Sequence, residues 1–263
     1  MKFSGRWVWI TGASSGIGRA IAIESARLGA NLVLLARSKA KLNELSKELQ
    51  IIGAKDTEIV HMDLSRSESS VKELEVNWMQ SKRAASILES TVALVNNAGL
   101  ALGTEAFDKN SDESILQVIN TNVIGLTLLT KRLVPTLKKN QGHIVNIGSV
   151  AGHWTYPGGA VYCASKAAVR ALSEGFRLDL HGSGVRVTNI EPGMVDTGFS
   201  VVRFGNEEKA RKLYEGMSPL TAEDIAETVI WCLSRPVHVN VQELMIFPTD
   251  QSAVGYVHRK ETP

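Results

Sequence analysis

The sequence predicts an α/β domain, a doubly wound parallel sheet of seven strands with helices on both faces. Two observations carry that expectation. Seven short apolar segments, 7–11, 31–36, 57–62, 92–96, 143–148, 185–191 and 243–247, alternate with helical patterns, and no change of composition separates them. Among them, Leu32-Val33-Leu34-Leu35 and Ile144-Val145-Asn146-Ile147 are mostly apolar instead of alternating, as strands covered on both sides are. Parallel strands joined by helices need right-handed crossovers, and 263 residues are enough for one such domain with a substantial core.

The first element is a strand at Trp7-Val8-Trp9-Ile10, followed by Thr11-Gly12-Ala13-Ser14-Ser15-Gly16-Ile17-Gly18 and then by Ile17, Ala20, Ile21, Ile23 and Leu28 at helical spacing. Strand, glycine turn and helix in that order suit a pyrophosphate, whose charge the amides and dipole of a helix N-terminus meet. Gly12, Ser14, Ser15, Gly16, Ile17 and Gly18 are therefore candidate cofactor residues, although the glycine spacing is Gly-x3-Gly-x-Gly and an ordinary strand-to-helix turn is the alternative. The second strand ends at Ala36-Arg37. Dinucleotide folds that take NAD usually place a carboxylate near here, whereas a guanidinium suits a 2′-phosphate, so NADP is the expected cofactor. The alternative for Arg37 is a solvated strand end.

Residues 66–91 are expected to form one long helix with an irregular end. The segment 112–134 carries Ile115, Val118, Ile119, Val123, Ile124, Leu126, Leu128, Leu129, Leu133 and Val134, apolar over more than one face. Such a helix must be covered by its own sheet and by something else, which points to an oligomer. After the fifth strand comes Ser149, and thirteen residues on comes Tyr162, with Lys166 four further. On a helix that spacing sets phenol and ammonium on one face. A nearby cation lowers a phenol from its free pKa of about 10, so the pair is expected to exchange a proton near neutral pH; a solvated helix face is the bland alternative.

Other features exclude more than they assign. A net charge of +2 with dispersed basic residues, 44% apolar and 21% charged content leave no footprint of nucleic acid or an acidic membrane. There is no run of eighteen apolar residues and a glycine loop stands where a signal peptide would, so a cytoplasmic location is expected. Cys163 and Cys232 fit a reducing compartment and have no metal-site spacing; no metal is expected. His143 and His153 read as structural, Lys138-Lys139 as a solvated helix end, and Glu191 as functional or structural.

Thr11-Gly12-x3-Gly16-x-Gly18, Asn96-Asn97-Ala98-Gly99, Asn122, Ser149, Tyr162-x3-Lys166 and Pro192-Gly193-x3-Thr197 follow one another in an order and spacing that resemble a classical short-chain dehydrogenase/reductase over nearly the whole chain. The resemblance implies a single Rossmann-type domain over 1–263. It is closest to the branch acting on short 3-hydroxy acids such as serine, allo-threonine and 3-hydroxyisobutyrate. Tyr156-Pro157-Gly158, Asp179-Leu180-His181-Gly182, Ile190-Glu191-Pro192-Gly193, Phe199-Ser200-x-Val202-Arg203-Phe204 and Ile246-Phe247-Pro248-Thr249-x-Gln251 carry that likeness.

By the same resemblance, Ser149 holds the substrate oxygen, Tyr162 exchanges its proton, Lys166 also holds the nicotinamide ribose, and Asn122 anchors a water in the proton relay. Asp63 contacts the adenine, Asn96 supports the sheet beside the cofactor, and Pro192, Val195 and Thr197 line the nicotinamide end, Thr197 at the carboxamide. A substrate lid is implied at about 196–218 and a tail at 248–263. Arg203, between Gly198 and Gly205 and beside Phe199, Val202 and Phe204, is a candidate for gripping a carboxylate; its alternative is a surface residue paired with Glu207 or Glu208. A homodimer or homotetramer is implied, with the tetramer favoured. Rival readings are a reductase of thioesters, sugars or ketones and a non-catalytic nucleotide-binding sensor.

Overall fold

The computed structural model describes residues 3–260. Strand β1 (Trp7–Thr11) leads into helix α1 (Gly16–Arg27), β2 (Asn31–Ala36) into α2 (Lys39–Ile52), and β3 (Thr57–His61) into α3 (Ser67–Glu73) and α4 (Lys82–Glu89). Then come β4 (Thr91–Asn96), α5 (Asp112–Ile119), α6 (Leu126–Asn140), β5 (His143–Ile147), α7 (Ala160–Asp179) and β6 (Arg186–Pro192). Helices α8 (Gly198–Phe204), α9 (Glu207–Tyr214) and α10 (Ala222–Ser234), β7 (Glu243–Ile246) and a small hairpin, β8 (Gln251–Ala253) and β9 (Tyr256–Val257), follow.

All seven main strands are parallel, in the order β3-β2-β1-β4-β5-β6-β7. The order reverses between β1 and β4, and ligands of such sheets bind outside the carboxyl ends of strands at that switch point. Strand side chains alternate between two cores. Val8, Ile10, Leu32 and Leu34 pack with the buried faces of α1 and α10 on one side, while Trp7, Trp9, Val33 and Leu35 pack with Leu129 and Leu133 of α6 on the other. A fully buried leucine or isoleucine contributes roughly 1.5–3 kcal/mol, so this double-sided burial is what holds the strand ends in place.

One expectation needs correction. Residues 66–91 are not one helix: α3 runs into a wide turn of π type at Leu74–Trp78 and stops, and Ser81 caps a new helix by accepting from the Ala84 amide at 3.0 Å. Trp78 ends that turn, with its ring meeting Trp9 edge-on at 5.2 Å and its indole donating to Glu58 at 2.8 Å. The segment 112–134 lies in one continuous helical run, as expected, widened by a π turn at Asn120–Gly125 between α5 and α6. Its apolar face is as broad as expected: Leu116 and Ile124 are exposed while Leu129 and Leu133 are buried. Of the tail 248–263, residues 261–263 lie outside the described residues.

Candidate active site

The glycine loop is shaped by contacts no substituent would fit. Gly12 and Gly16 adopt left-handed backbone (φ 65° and 52°), and a Cβ on Gly18 would lie 2.4 Å from the Gly12 carbonyl oxygen. Thr11 and Asn97 lock the loop to β4: the Thr11 hydroxyl accepts from the Asn97 and Ala98 amides at 3.0 and 2.9 Å, and the Asn97 side chain donates to the Thr11 carbonyl at 2.9 Å. Ser15 caps α1 in extended conformation without a side-chain bond to the helix, and the first turn holds no acidic residue. The N-terminal amides of α1 are thus left for a ligand. Ser14 and Ile17 are half-buried on either side of the turn.

Arg37 is exposed immediately after β2, without a hydrogen-bond or ion-pair partner among the described residues. Asp63 follows β3 and caps the turn Leu64–Arg66, accepting from the Ser65 amide and hydroxyl at 3.0 and 2.8 Å. Asn96 ends β4 inside the sheet. Its side chain is buried, donating to Thr130 at 2.9 Å and Asn146 at 2.8 Å, because a carboxamide on a covered strand must find partners inside.

At the end of β5, the Ser149 hydroxyl accepts from the Ala151 amide at 3.1 Å and donates to the Pro192 carbonyl at 3.4 Å. Helix α7 brings Tyr162 and Lys166 beside it. Lys166 is buried, donates to the Ile147 carbonyl at 2.7 Å, and lies 5.8 Å from the centre of the Tyr162 ring. Burial lowers its pKa to about 8. Tyr162 does not follow expectation: burial, aided by Tyr156, raises its phenol, and the Ser149 hydroxyl and Arg203 charge only oppose this. Desolvation of the phenol outweighs the pull of the Lys166 ammonium, which is hydrogen-bonded to the Ile147 carbonyl.

Asn122 sits in the π turn. Its carboxamide accepts from the Leu100 amide at 2.9 Å and donates to the Leu100 carbonyl at 2.8 Å and to Ser165 at 3.0 Å. The side chain therefore ties the 99–100 segment to α7 next to Lys166, and the π turn is what aims it there.

Helix α8 lies against this edge. Thr197 caps α8, its hydroxyl accepting from the Phe199 amide at 3.3 Å, and its Cβ lies 3.5 Å from where a Cβ on Gly16 would sit. Val195 bridges Leu220 and accepts from the Tyr214 hydroxyl at 2.7 Å. Phe199 meets the Tyr162 ring at 5.7 Å. Arg203 donates to the Tyr156 hydroxyl at 3.0 Å and stacks over the rings of Tyr156 and Phe204 at 5.1 and 6.0 Å. The alternative pairing with Glu208 is not formed, since Glu208 meets Lys212 at 2.9 Å.

Three groupings escaped the sequence reading: the Thr11–Asn97 lock, the Tyr156–Arg203 contact, and a partly buried cluster in which the His153 imidazole lies 2.8 Å from both Glu191 and Glu243. Their members are 47 or more residues apart in the last two cases, save the 38 between His153 and Glu191, and no local spacing signals them.

The model of the short chain dehydrogenase family matches residues 6–208. The NADP-dependent 3-hydroxy acid dehydrogenase of Schizosaccharomyces pombe is 36% identical over 99% of both chains. The serine 3-dehydrogenase of Agrobacterium fabrum is 39% identical over 97% of this chain and 98% of its own. A solved structure, the closed form of a serine dehydrogenase complexed with NADP+, superposes with a TM-score of 0.85 at 41% identity, covering 97% of this chain and 100% of that one. A doubly wound sheet with an open glycine loop at its switch point, matched by a family model over most of the chain and by relatives over nearly all of it, has one reading: this chain belongs to the short-chain dehydrogenase family.

Proposed function

We propose that the protein is an NADP-dependent oxidoreductase that interconverts a short 3-hydroxy acid, of the serine, allo-threonine or 3-hydroxyisobutyrate type, and its 3-oxo acid. The observation that carries this reading is the convergence of Ser149, Tyr162 and Lys166 with a lid arginine, Arg203, beside an open glycine loop. Relatives carrying these activities in their names align over nearly their whole length.

The chain fits the cofactor. The left-handed glycines and free α1 amides suit a pyrophosphate, and Arg37, with no carboxylate beside it in the Ala36-Arg37-Ser38 stretch, suits a 2′-phosphate. Bound NADP supplies the hydride acceptor, or as NADPH the donor. Gly12, Ser14, Ser15, Gly16, Ile17 and Gly18 cradle it, Asp63 and Arg37 meet its adenosine half, and Pro192, Val195 and Thr197 border the nicotinamide end. Ser149 donates to the substrate oxygen while Tyr162 gives or takes the proton at that same oxygen. Lys166 holds the ribose, and Asn122 keeps the 99–100 segment and α7 in register beside it. Loss of a hydride and a proton together converts the alcohol to the carbonyl.

The domain spans 1–263, with the lid at about 196–218. Exposed Leu116, Ile124 and Leu178, on α5, its π turn and α7, support a homodimer or homotetramer formed through that face. Among the described residues no helix is long and apolar enough to cross a membrane, and a cytoplasmic location is part of the proposal. A panel of hydroxy acids, 3-oxoacyl thioesters, sugars and simple ketones, assayed in the appropriate direction with NADP(H) and NAD(H), tests the reading. Turnover of the acids with NADP supports it; turnover of thioesters, sugars or simple ketones alone overturns it.

A further inference from the structure

Tyr156 lies on a turn that only glycine permits. Gly158 is left-handed (φ +72°), and a Cβ there would come within 2.2 Å of the Thr104 carbonyl oxygen. A Cβ on Gly159 would come within 2.3 Å of the Tyr156 ring. The ring is thereby pressed onto the backbone that starts α7, the helix of Tyr162, and its place relative to the reacting phenol is set by that turn. Arg203 reaches it from the other side, on the lid.

Their contact leaves donors over. The Tyr156 oxygen accepts from Arg203, so its own proton remains available, with the weakly accepting thiol of Cys163 as neighbour. The Arg203 Nε is buried without an acceptor, and Arg203 has no carboxylate partner among the described residues. A buried, unmatched guanidinium donor is costly until an anion meets it. Helix α8 carries both Arg203 and Phe199, and Phe199 meets the Tyr162 ring at 5.7 Å, so the Tyr156–Arg203 contact is made by the same helix that borders the reacting phenol.

We propose that the Tyr156 hydroxyl and the Arg203 guanidinium form a two-sided carboxylate subsite, one donor from the fixed floor and one from the lid, so that Tyr156 is a specificity-determining residue. This rests on the hydroxy-acid reading above. A 3-hydroxy acid carries its carboxylate two carbons from the reacting carbon, so with its hydroxyl at Ser149 and Tyr162 its carboxylate is the group offered to the two donors. The subsite also ties substrate binding to lid position, because Arg203 moves with α8 and Tyr156 does not.

The test compares 3-hydroxyisobutyrate with an uncharged alcohol of the same skeleton in wild type, Tyr156→Phe, Arg203→Met and the double variant, with isobutyrate as an unreactive competitive probe. Phenylalanine keeps the ring under the guanidinium and removes only the hydroxyl. Tyr156→Phe is expected to lower the acid-to-alcohol ratio of kcat/KM about tenfold and to weaken isobutyrate inhibition by a similar factor, as the loss of one charged hydrogen bond does. The double variant is expected to fall short of the product of the two single effects, since both donors serve one anion. If wild type prefers the acid and Tyr156→Phe keeps that preference and its isobutyrate inhibition, the subsite is wrong while the hydroxy-acid reading stands. If wild type itself does not distinguish acid from alcohol, both fail. A thermal midpoint for each variant separates these outcomes from misfolding, and Tyr156→Trp, which also lacks a hydroxyl at that place, repeats the comparison if the phenylalanine variant is unstable.

Discussion

Lys166 and Ile147 are joined by a hydrogen bond of 2.7 Å from a buried ammonium to a strand-end carbonyl. The lysine is fixed by the sheet, not by the tyrosine four residues before it. With its pKa lowered to about 8 by burial, it is an ammonium at neutral pH and loses its proton in the mildly alkaline range.

Tyr162→Phe removes the one proton that the phenol carries and little else. Turnover is expected to fall by more than tenfold, over about 1.4 kcal/mol in barrier, while NADPH binding measured by fluorescence stays within a few-fold. More than a tenth of wild-type kcat in this variant is incompatible with the role given to the phenol.

Because burial raises the phenol, Tyr162 stays protonated through neutral pH and is ready to donate in carbonyl reduction. The reductive kcat/KM is therefore expected to be flat from pH 6 to 7 and to decline as Lys166 deprotonates around 8. The oxidative rate, which needs the phenol to accept a proton, rises with pH over the same range. A reductive profile that climbs through pH 8 contradicts this assignment.

Arg37→Ala is expected to raise the KM for NADPH at least tenfold, the worth of a charge-assisted contact of about 1.5–3 kcal/mol, and to leave that for NADH nearly unchanged. The residue is exposed at the end of β2 and packs against nothing that folding needs. Equal effects on the two cofactors dispose of the assignment.

Glu191 is closed to solvent among His153, Glu243 and Asn189, and burial raises its carboxyl from 4.5 to about 7, with Glu243 adding to the rise and His153 opposing it. A carboxyl that is raised on folding favours the protonated folded state. Its stabilisation is complete below pH 4.5 and is lost as pH rises through about 7. Wild type is expected to lose thermal stability across that window relative to Glu191→Gln, which keeps a hydrogen-bonding side chain and cannot ionise. Parallel plots of melting temperature against pH for the two proteins count against it.

Much of this architecture is readable in the chain because it is local. Seven strands appear within a residue or two of their expected limits, since an apolar run between glycine or polar breaks is set by neighbours in sequence. The glycine loop is legible for the same reason: left-handed backbone at Gly12 and Gly16 restricts the residue type position by position. Tyr162 and Lys166 share a face because helical spacing demands it.

What tertiary structure decided depends on partners distant in sequence. The helix expected over 66–91 breaks where Trp78 meets Trp9 and Glu58, and the helix over 112–134 widens at Asn122, which is tied to Leu100 and Ser165. Spacing sets phenol and ammonium side by side but says nothing of solvent, so only the packed site determined that burial outweighs the cation and raises Tyr162. Tyr156 and Arg203, 47 residues apart, meet because α8 packs by the start of α7, a contact made by long-range packing and written in neither segment alone.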